Sequence, residues 1–169
     1  MKVGLHYYVE IDGVRTMSDS FIMSLLDRAG KDGVLSLIFY GDSKYTKEMF
    51  LSKLKTELDT LFFAVTVDDE LAGFGLCDNI RWDHCDFHFC VFSEFWGKPE
   101  TVDASIDIYR QLHELKFSMM YGVVPIDNEF ALKFCEKIKL TRACVMPKYF
   151  YNDTLQKHFD GVMFYSVKE

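Results

Sequence analysis

The segment Arg81-Trp82-Asp83-His84-Cys85-Asp86-Phe87-His88-Phe89-Cys90 concentrates side chains that bind metals or move protons. In an extended strand successive side chains alternate between faces, so His84, Asp86, His88 and Cys90 would share one face. Cys85, Phe87, Phe89 and Val91 would take the other, which reads as core. Imidazole and thiolate are zinc ligands. Ligands at i, i+2 and i+4 on one strand stand about 7 Å apart per step, so three of them reach one ion only if the strand bends. No metal site is assigned on that ground. Asp86 and His88 are also of the type that exchanges protons, and an imidazole titrates ordinarily near pH 6.5. The plainer alternative is a polar row on a solvated sheet face. The chain contains no P-loop, no G-x-S-x-G and no H-E-x-x-H.

The elements that must hold this row are those of one domain spanning residues 1–169. The sequence is 49% hydrophobic and 27% charged, an ordinary globular balance. A net charge of −7 argues against a nucleic-acid or anionic-membrane partner and favours a cationic ligand. No apolar run approaches the roughly 18 residues of a membrane span, and the N-terminus does not read as a signal peptide. The five cysteines are an odd number without a C-x-x-C pair. A reducing, cytoplasmic setting is expected. The 16 Phe and nine Tyr can line an acceptor pocket, form a homodimer face or fill the core.

Along the chain, Leu5 to Ile11 reads as a strand ending at the Asp12-Gly13 turn. Ser18 is placed to cap a helix with Phe21, Ile22, Leu25, Leu26 and Ala29 on one face. Val34 to Tyr40 is an apolar run of either type, broken by Gly41-Asp42-Ser43. A second helix follows with Met49, Phe50, Leu54 and Leu58 at helical spacing. Leu61 to Val67, Leu71 to Ile80 and Phe87 to Phe95 read as strands, the first two joined so tightly that they must be antiparallel neighbours. After Trp96-Gly97-Lys98 the period becomes 3.6. Pro99 suits a first helical turn, and Val102, Ile106, Tyr109 and Leu112 form its stripe. Phe117 to Val124 is a strand. Asp127 or Asn128 caps a helix with Phe130, Ala131, Phe134, Cys135 and Ile138 inward. Thr141 to Pro147 and Gly161 to Val167 close the pattern as strands. Early strands pair as hairpins and later ones are joined by helices, so the sheet should be mixed and flanked by helices, an α/β arrangement.

This element order resembles that of the GNAT superfamily of acyl-CoA-dependent N-acyltransferases. The local match is the last helix, which in that family often opens Asn-x-x-Ala-x-x-Leu-Tyr and is followed by Gly-Phe. Here the run is Asn128-Glu129-Phe130-Ala131-Leu132-Lys133-Phe134-Cys135, then Lys139-Leu140. Asn128 and Ala131 match. Cys135 stands for the tyrosine that often acts as general acid, and Lys139-Leu140 for Gly-Phe. The stretch from Pro147 to Tyr165, with Asp160 ahead of the last strand, is similar to the family's final strands.

The resemblance implies a centrally splayed sheet that takes acetyl-CoA or another acyl-CoA as co-substrate. It implies that the splayed strand Phe89 to Phe92 offers backbone to the pantetheine, and that N–H groups of Cys90, Val91 and Phe92 polarise the thioester carbonyl. Gly97 and Lys98 would meet the pyrophosphate at the turn Phe95 to Thr101, and Asn128 and Ala131 would line the pantetheine side. Asp86 or His88 would serve as base towards a small-molecule or peptide amine, and Cys135 as acid. The phosphate turn departs from the family pattern: Pro99 removes a donor N–H, and Glu94, Glu100 and Asp103 would repel a diphosphate. The rival reading is a GNAT-fold interaction or structural protein without catalysis. A third, a metal-binding regulator using His84 to Cys90, would carry zinc.

Overall fold

A computed structural model describes residues 1–35, 46–153 and 155–168. The strands are β1 (Val3–Tyr7), β2 (Glu10–Ile11), β3 (Val14–Arg15), β4 (Leu61–Val67), β5 (Glu70–Arg81), β6 (His84–Val91), β7 (Met119–Pro125), β8 (Thr141–Asn152) and β9 (Lys157–Val167). The helices are α1 (Asp19–Lys31), α2 (Lys47–Thr56), α3 (Pro99–Leu115) and α4 (Glu129–Lys137). Seven strands form one sheet in the order β1-β4-β5-β6-β7-β9-β8, with β6 and β7 parallel and the other pairs antiparallel. The sheet is therefore mixed, as expected. Among the described residues, no helix is long and apolar enough to cross a membrane.

Each face of the sheet carries helices. On one, Ile22, Leu25, Leu26 and Ala29 of α1 and Phe50 and Leu54 of α2 pack against Phe62, Phe74, Leu76, Cys90 and Phe92. On the other, Tyr109 and Leu112 of α3 and Ile138 close over Phe63, Cys77, Cys85, Phe87 and Met120. Burying a ring such as Phe62 contributes about 2–3 kcal/mol. Ser18 caps α1 through Phe21 N–H at 3.1 Å, and Thr46 caps α2 through Met49 N–H at 3.2 Å. Phe21, Met49 and Leu58, expected inward, are exposed; Leu58 lies beyond the end of α2.

Several boundaries differ from the expected ones. The run Leu5 to Ile11 divides into β1 and a separate small hairpin, because Asp12 and Gly13 both take positive φ (53° and 78°), the geometry of a two-residue turn. The strand expected to reach Phe95 stops at Val91. There the Asp32 carboxylate accepts Ser93 N–H at 2.8 Å and Ser93 Oγ–H at 2.9 Å, and Ser93–Phe95 turns off the sheet as a 3₁₀ helix. Residues 36–45, which hold most of the apolar run from Val34 to Tyr40 and the break after it, lie outside the described residues.

The feature that organises the site is the junction of β6 with β7. Only His84↔Met119, Cys85↔Met120 and Asp86↔Tyr121 are in register, and beyond them the two strands part. β6 runs on to Val91 paired with β5, and β7 runs on to Pro125 paired with β9. The sheet is splayed at its centre, and Gly122 sits at the apex. A Cβ there would lie 2.7 Å from the Phe87 carbonyl oxygen, so the strands come this close only at a glycine. Phe134 of α4 packs on Phe89 inside the opening, with ring centroids 5.7 Å apart.

Candidate active site

The splay leaves backbone groups of β6 without a neighbouring strand, and strand alternation says which. Phe92 N–H donates to Ala72 O at 2.9 Å, so Phe92 turns its backbone towards β5. Alternate residues of an antiparallel ladder do the same, so Cys90, opposite Phe74, and His88, opposite Leu76, also face β5. Phe87, Phe89 and Val91 direct their N–H and C=O into the cleft. Within the stretch Phe89 to Phe92 expected to offer its backbone, Phe89 and Val91 therefore face the cleft, and the expectation that Cys90 and Phe92 supply free N–H groups is corrected. The Val91 carbonyl already accepts the Trp96 indole N–H at 2.8 Å.

At the open end of the cleft, α3 starts at Pro99 with Lys98 as an N-cap that makes no side-chain capping bond. A 17-residue helix thus turns its positive dipole end outward with no side-chain cap; Pro99 has no N–H to offer and Thr101 N–H already donates to Lys98 O at 3.1 Å. Gly97 takes φ +73° with open space where a side chain would be. Lys98 Nζ lies 4.9 Å from the Phe95 ring. The negative charge of Glu94 is met by Arg28, 3.0 Å away, and Arg28 in turn covers the Phe92 ring at 4.0 Å. Sequence reasoning counted Glu94 against an anion and missed the arginine one helix away that offsets it. Beneath α3, an apolar slot of about 40 Å³ runs past Phe95, Thr101, Ala104, Phe89 and Ile138.

α4 supplies the third wall. Asn128 Oδ1 accepts Ala131 N–H at 3.1 Å and so caps the helix. Its carbonyl oxygen is committed, and the amide N–H groups remain to reach a ligand. Replacing Asn128 by alanine should cost about 1 kcal/mol, whereas aspartate, which keeps the acceptor, should hold the melting temperature near wild type in thermal denaturation. Phe130, expected inward, is 90% exposed, and the face that α4 buries runs through Cys135 instead. Cys135 is 1% exposed against Val162 and Phe164, and burial pushes its thiol up to about 12. Lys139 takes φ +64° where the GNAT pattern has glycine. The lysine keeps the left-handed helix end at a cost of about 1 kcal/mol.

The polar row of β6 lies where alternation put it: Cys85, Phe87 and Phe89 face α3, while Cys90 faces α1. His84 pairs with Asp83 at the hairpin turn, Nδ1 to Oδ1 3.0 Å, and Cys90 is buried with its thiol raised to about 12 by desolvation. Asp86 and His88 remain beside the cleft. Asp86 stands directly opposite Asp78 of β5, a like-charge pair that would be unfavourable unless each carboxylate were compensated. It is. Asn79 Nδ2 donates to Asp86 Oδ2 at 2.8 Å, and Lys53 of α2 donates to Asp78 Oδ2 at 2.9 Å. His88 Nε2 lies 3.2 Å from Asp78 Oδ1, with the imidazole 46% exposed. Burial raises the Asp78 carboxyl, but hydrogen bonds and charge from His88 and Lys53 outweigh it and hold the group below its ordinary value.

Two tyrosines complete this face. Tyr121 lies level with Asp86 across the apex, and the Asp86 carboxylate, by drawing on its hydroxyl proton, pushes it up to about 12. Tyr149 of β8 is raised by burial and by the charges of Asp86 and Asp78. Asp86 Oδ1 is shut off from solvent with no hydrogen-bond partner among the described residues. Asp78, Lys53, Tyr121 and Tyr149 were all missed from sequence. Among the described residues, no three His, Cys, Asp or Glu side chains gather closely enough to hold a metal ion.

The fold has counterparts among solved structures. The spermidine N-acetyltransferase of Vibrio cholerae, solved with CoA and spermine, superposes with a TM-score of 0.74 at 12% identity, over 98% of this chain and 95% of its own. A microcin C7 self-immunity acetyltransferase, solved with acetyl-CoA and AMP, gives 0.72 at 11% identity, over 98% and 92%. A ribosomal L7/L12 α-N-protein acetyltransferase, solved with CoA, gives 0.71 at 11%, over 98% and 93%. No protein-family model matches the sequence, and no curated protein matches it.

Proposed function

We propose that this chain, which has the fold of these acetyltransferases, is an acyl-CoA-dependent N-acyltransferase of GNAT type, moving an acetyl or other acyl group to a primary amine. The observation that carries the reading is the splay beyond Asp86 and Tyr121, with open backbone on β6 and a polar row on the opposite face of the same strand. Phe89 and Val91 would pair with the pantetheine, and Asn128 and Ala131 would flank it. Gly97, Lys98 and the uncapped start of α3 would receive the pyrophosphate. The amine would approach from the α2 face, give up a proton to His88, or to Asp86 in its place, and attack the thioester directly. Backbone N–H groups of the splayed strand would polarise the carbonyl. Cys135, buried with a raised pKa, serves packing better than proton delivery.

Asp78, Asp86 and the net charge of −7 favour a cationic acceptor. The spermidine and α-amino acceptors named for two of the neighbours span the small-molecule and peptide choices. A cytoplasmic setting accords with five free cysteines. A homodimer is supported by β8, at the sheet edge, which exposes Val145, Tyr149 and Tyr151.

Acetyl-CoA at 100 times its Kd should add about 2.7 kcal/mol of stability, roughly 5–10 °C for a chain of this size. The pyrophosphate turn decides the rival reading. Pro99, Glu100 and Asp103 at the start of α3 favour a non-catalytic protein, for which millimolar acetyl-CoA and longer acyl-CoAs would leave the melting curve unmoved.

A further inference from the structure

The His88 ring is not simply a polar side chain at the mouth of the cleft. One ring nitrogen points back to β5, where Asp78 is 7% exposed and lies between two donors. Lys53 Nζ occupies one carboxylate oxygen at 2.9 Å, and His88 Nε2 meets the other at 3.2 Å. An ionised carboxylate only accepts hydrogen bonds, so a neutral His88 must carry its proton on Nε2 to make this contact. That leaves Nδ1 as the unprotonated nitrogen. The imidazole remains 46% exposed while its carboxylate partner is 10% exposed, so the anchored end is buried and the ring stays accessible.

From this geometry, and resting on the assignment of His88 as base in acyl transfer, we infer that Asp78 is the positioning residue of the site. It holds His88 in the tautomer whose free Nδ1 accepts the acceptor amine's proton, and Lys53 holds Asp78 in place. No covalent bond to the protein is formed in this step. The proton moves from the amine nitrogen to Nδ1 as that nitrogen bonds to the thioester carbon, and the CoA thiolate leaves. The imidazolium so formed has its positive charge beside a carboxylate, which stabilises it in the transition state. The depressed pKa of Asp78 agrees with this, since a carboxylate that stays ionised despite burial is one engaged with cations. Among the described residues, Asp86 on β6, Tyr121 on β7 and Tyr149 on β8 also interact with this carboxylate pair, and Glu57 lies 3.5 Å from Lys53 Nζ.

The test uses the full chain with Asp78→Asn, Asp78→Glu and His88→Ala. Long-range proton–nitrogen NMR of the imidazole should find the Nε2–H tautomer in wild type and a mixed or reversed tautomer in Asp78→Asn. Steady-state kinetics with acetyl-CoA should give a 10- to 100-fold loss of kcat in Asp78→Asn, with KM for the amine changed less than threefold, and partial recovery in Asp78→Glu. A merely structural aspartate would lower stability and raise KM without moving the tautomer, and that result overturns the inference. If wild type transfers no acyl group, the functional reading fails, yet the tautomer measurement still decides whether Asp78 orients His88. If transfer is robust and His88→Ala is fully active, the acyltransferase stands and the positioning role falls.

Discussion

Gly73→Ala is expected to destabilise the protein by roughly 3 kcal/mol or more, a fall of about 6–12 °C in melting temperature for a chain of this length. Gly73 pairs with Val91 in the β5–β6 ladder. A Cβ at position 73 would sit 2.0 Å from the Cys90 carbonyl oxygen and 3.1 Å from its carbon. Both obstacles are backbone, so no side-chain rotation relieves the clash. The alternative is for β6 to move, and β6 is pinned there by the buried Cys90 and Phe92. Gly30→Ala provides the opposite sign. Its Cβ would make an ordinary contact, 3.7 Å from Leu35, within helix α1, so it should leave stability equal or higher by up to about 1 kcal/mol. A Gly73→Ala protein that melts within 2 °C of wild type would disprove the close approach. Because the displaced strand carries the cleft backbone, surviving folded protein should also bind acetyl-CoA more weakly.

What the residues alone disclosed, and what they hid, divides along the range of the interactions. Period-two alternation placed His84, Asp86, His88 and Cys90 on one face and Cys85, Phe87, Phe89 and Val91 on the other, because pleat geometry is local; it did not show that α1 buries Cys90 on the polar row's own face. The cap of the last helix was read as Asp127 or Asn128 from residue type, and it is Asn128. The separation of β6 from β7 was expected by resemblance and is present. Asp78, by contrast, looked like the end of an apolar strand. Its meaning comes from Lys53, 25 residues away, and from a hairpin register that brings His88 to it. Tyr121 and Tyr149 are ordinary strand aromatics until the parallel crossover and the β8–β9 hairpin carry them to the same carboxylates. The error over Cys90 and Phe92 had a local remedy. Once β5 and β6 form a hairpin, alternate N–H groups must point inward, and the turn at residues 79–83 sets the parity. Phe130 was misread because helical spacing says which side chains share a face, but not how far along the helix that face is covered.

His88→Ala is expected to lower kcat for acyl transfer by about 10²- to 10³-fold, which is roughly 2.7–4.1 kcal/mol of lost transition-state stabilisation. Removing the ring also takes one partner from the buried Asp78 carboxylate, so a loss of about 1–3 kcal/mol in stability should accompany the loss of turnover. The ring lies on the α2 face of β6, whereas the open backbone of Phe89 and Val91 lines the cleft itself. KM for acyl-CoA should therefore stay put while kcat and kcat/KM for the amine fall together, the pattern of an interaction made only as the proton moves. Asp86→Asn is the discriminating partner. Its Oδ2 is engaged with Asn79 and its Oδ1 is enclosed, so it should affect amine binding more than turnover. Were Asp86 the base, the two variants would exchange behaviours: Asp86→Asn would lose turnover and His88→Ala would keep it. Raising pH should not rescue His88→Ala if the proton must leave within the attack step. It should rescue the variant if His88 merely deprotonates a free ammonium beforehand, since bulk base can do that. A kcat that recovers at high pH would thus shift His88 from the attack step to substrate preparation, with the dyad geometry unchanged.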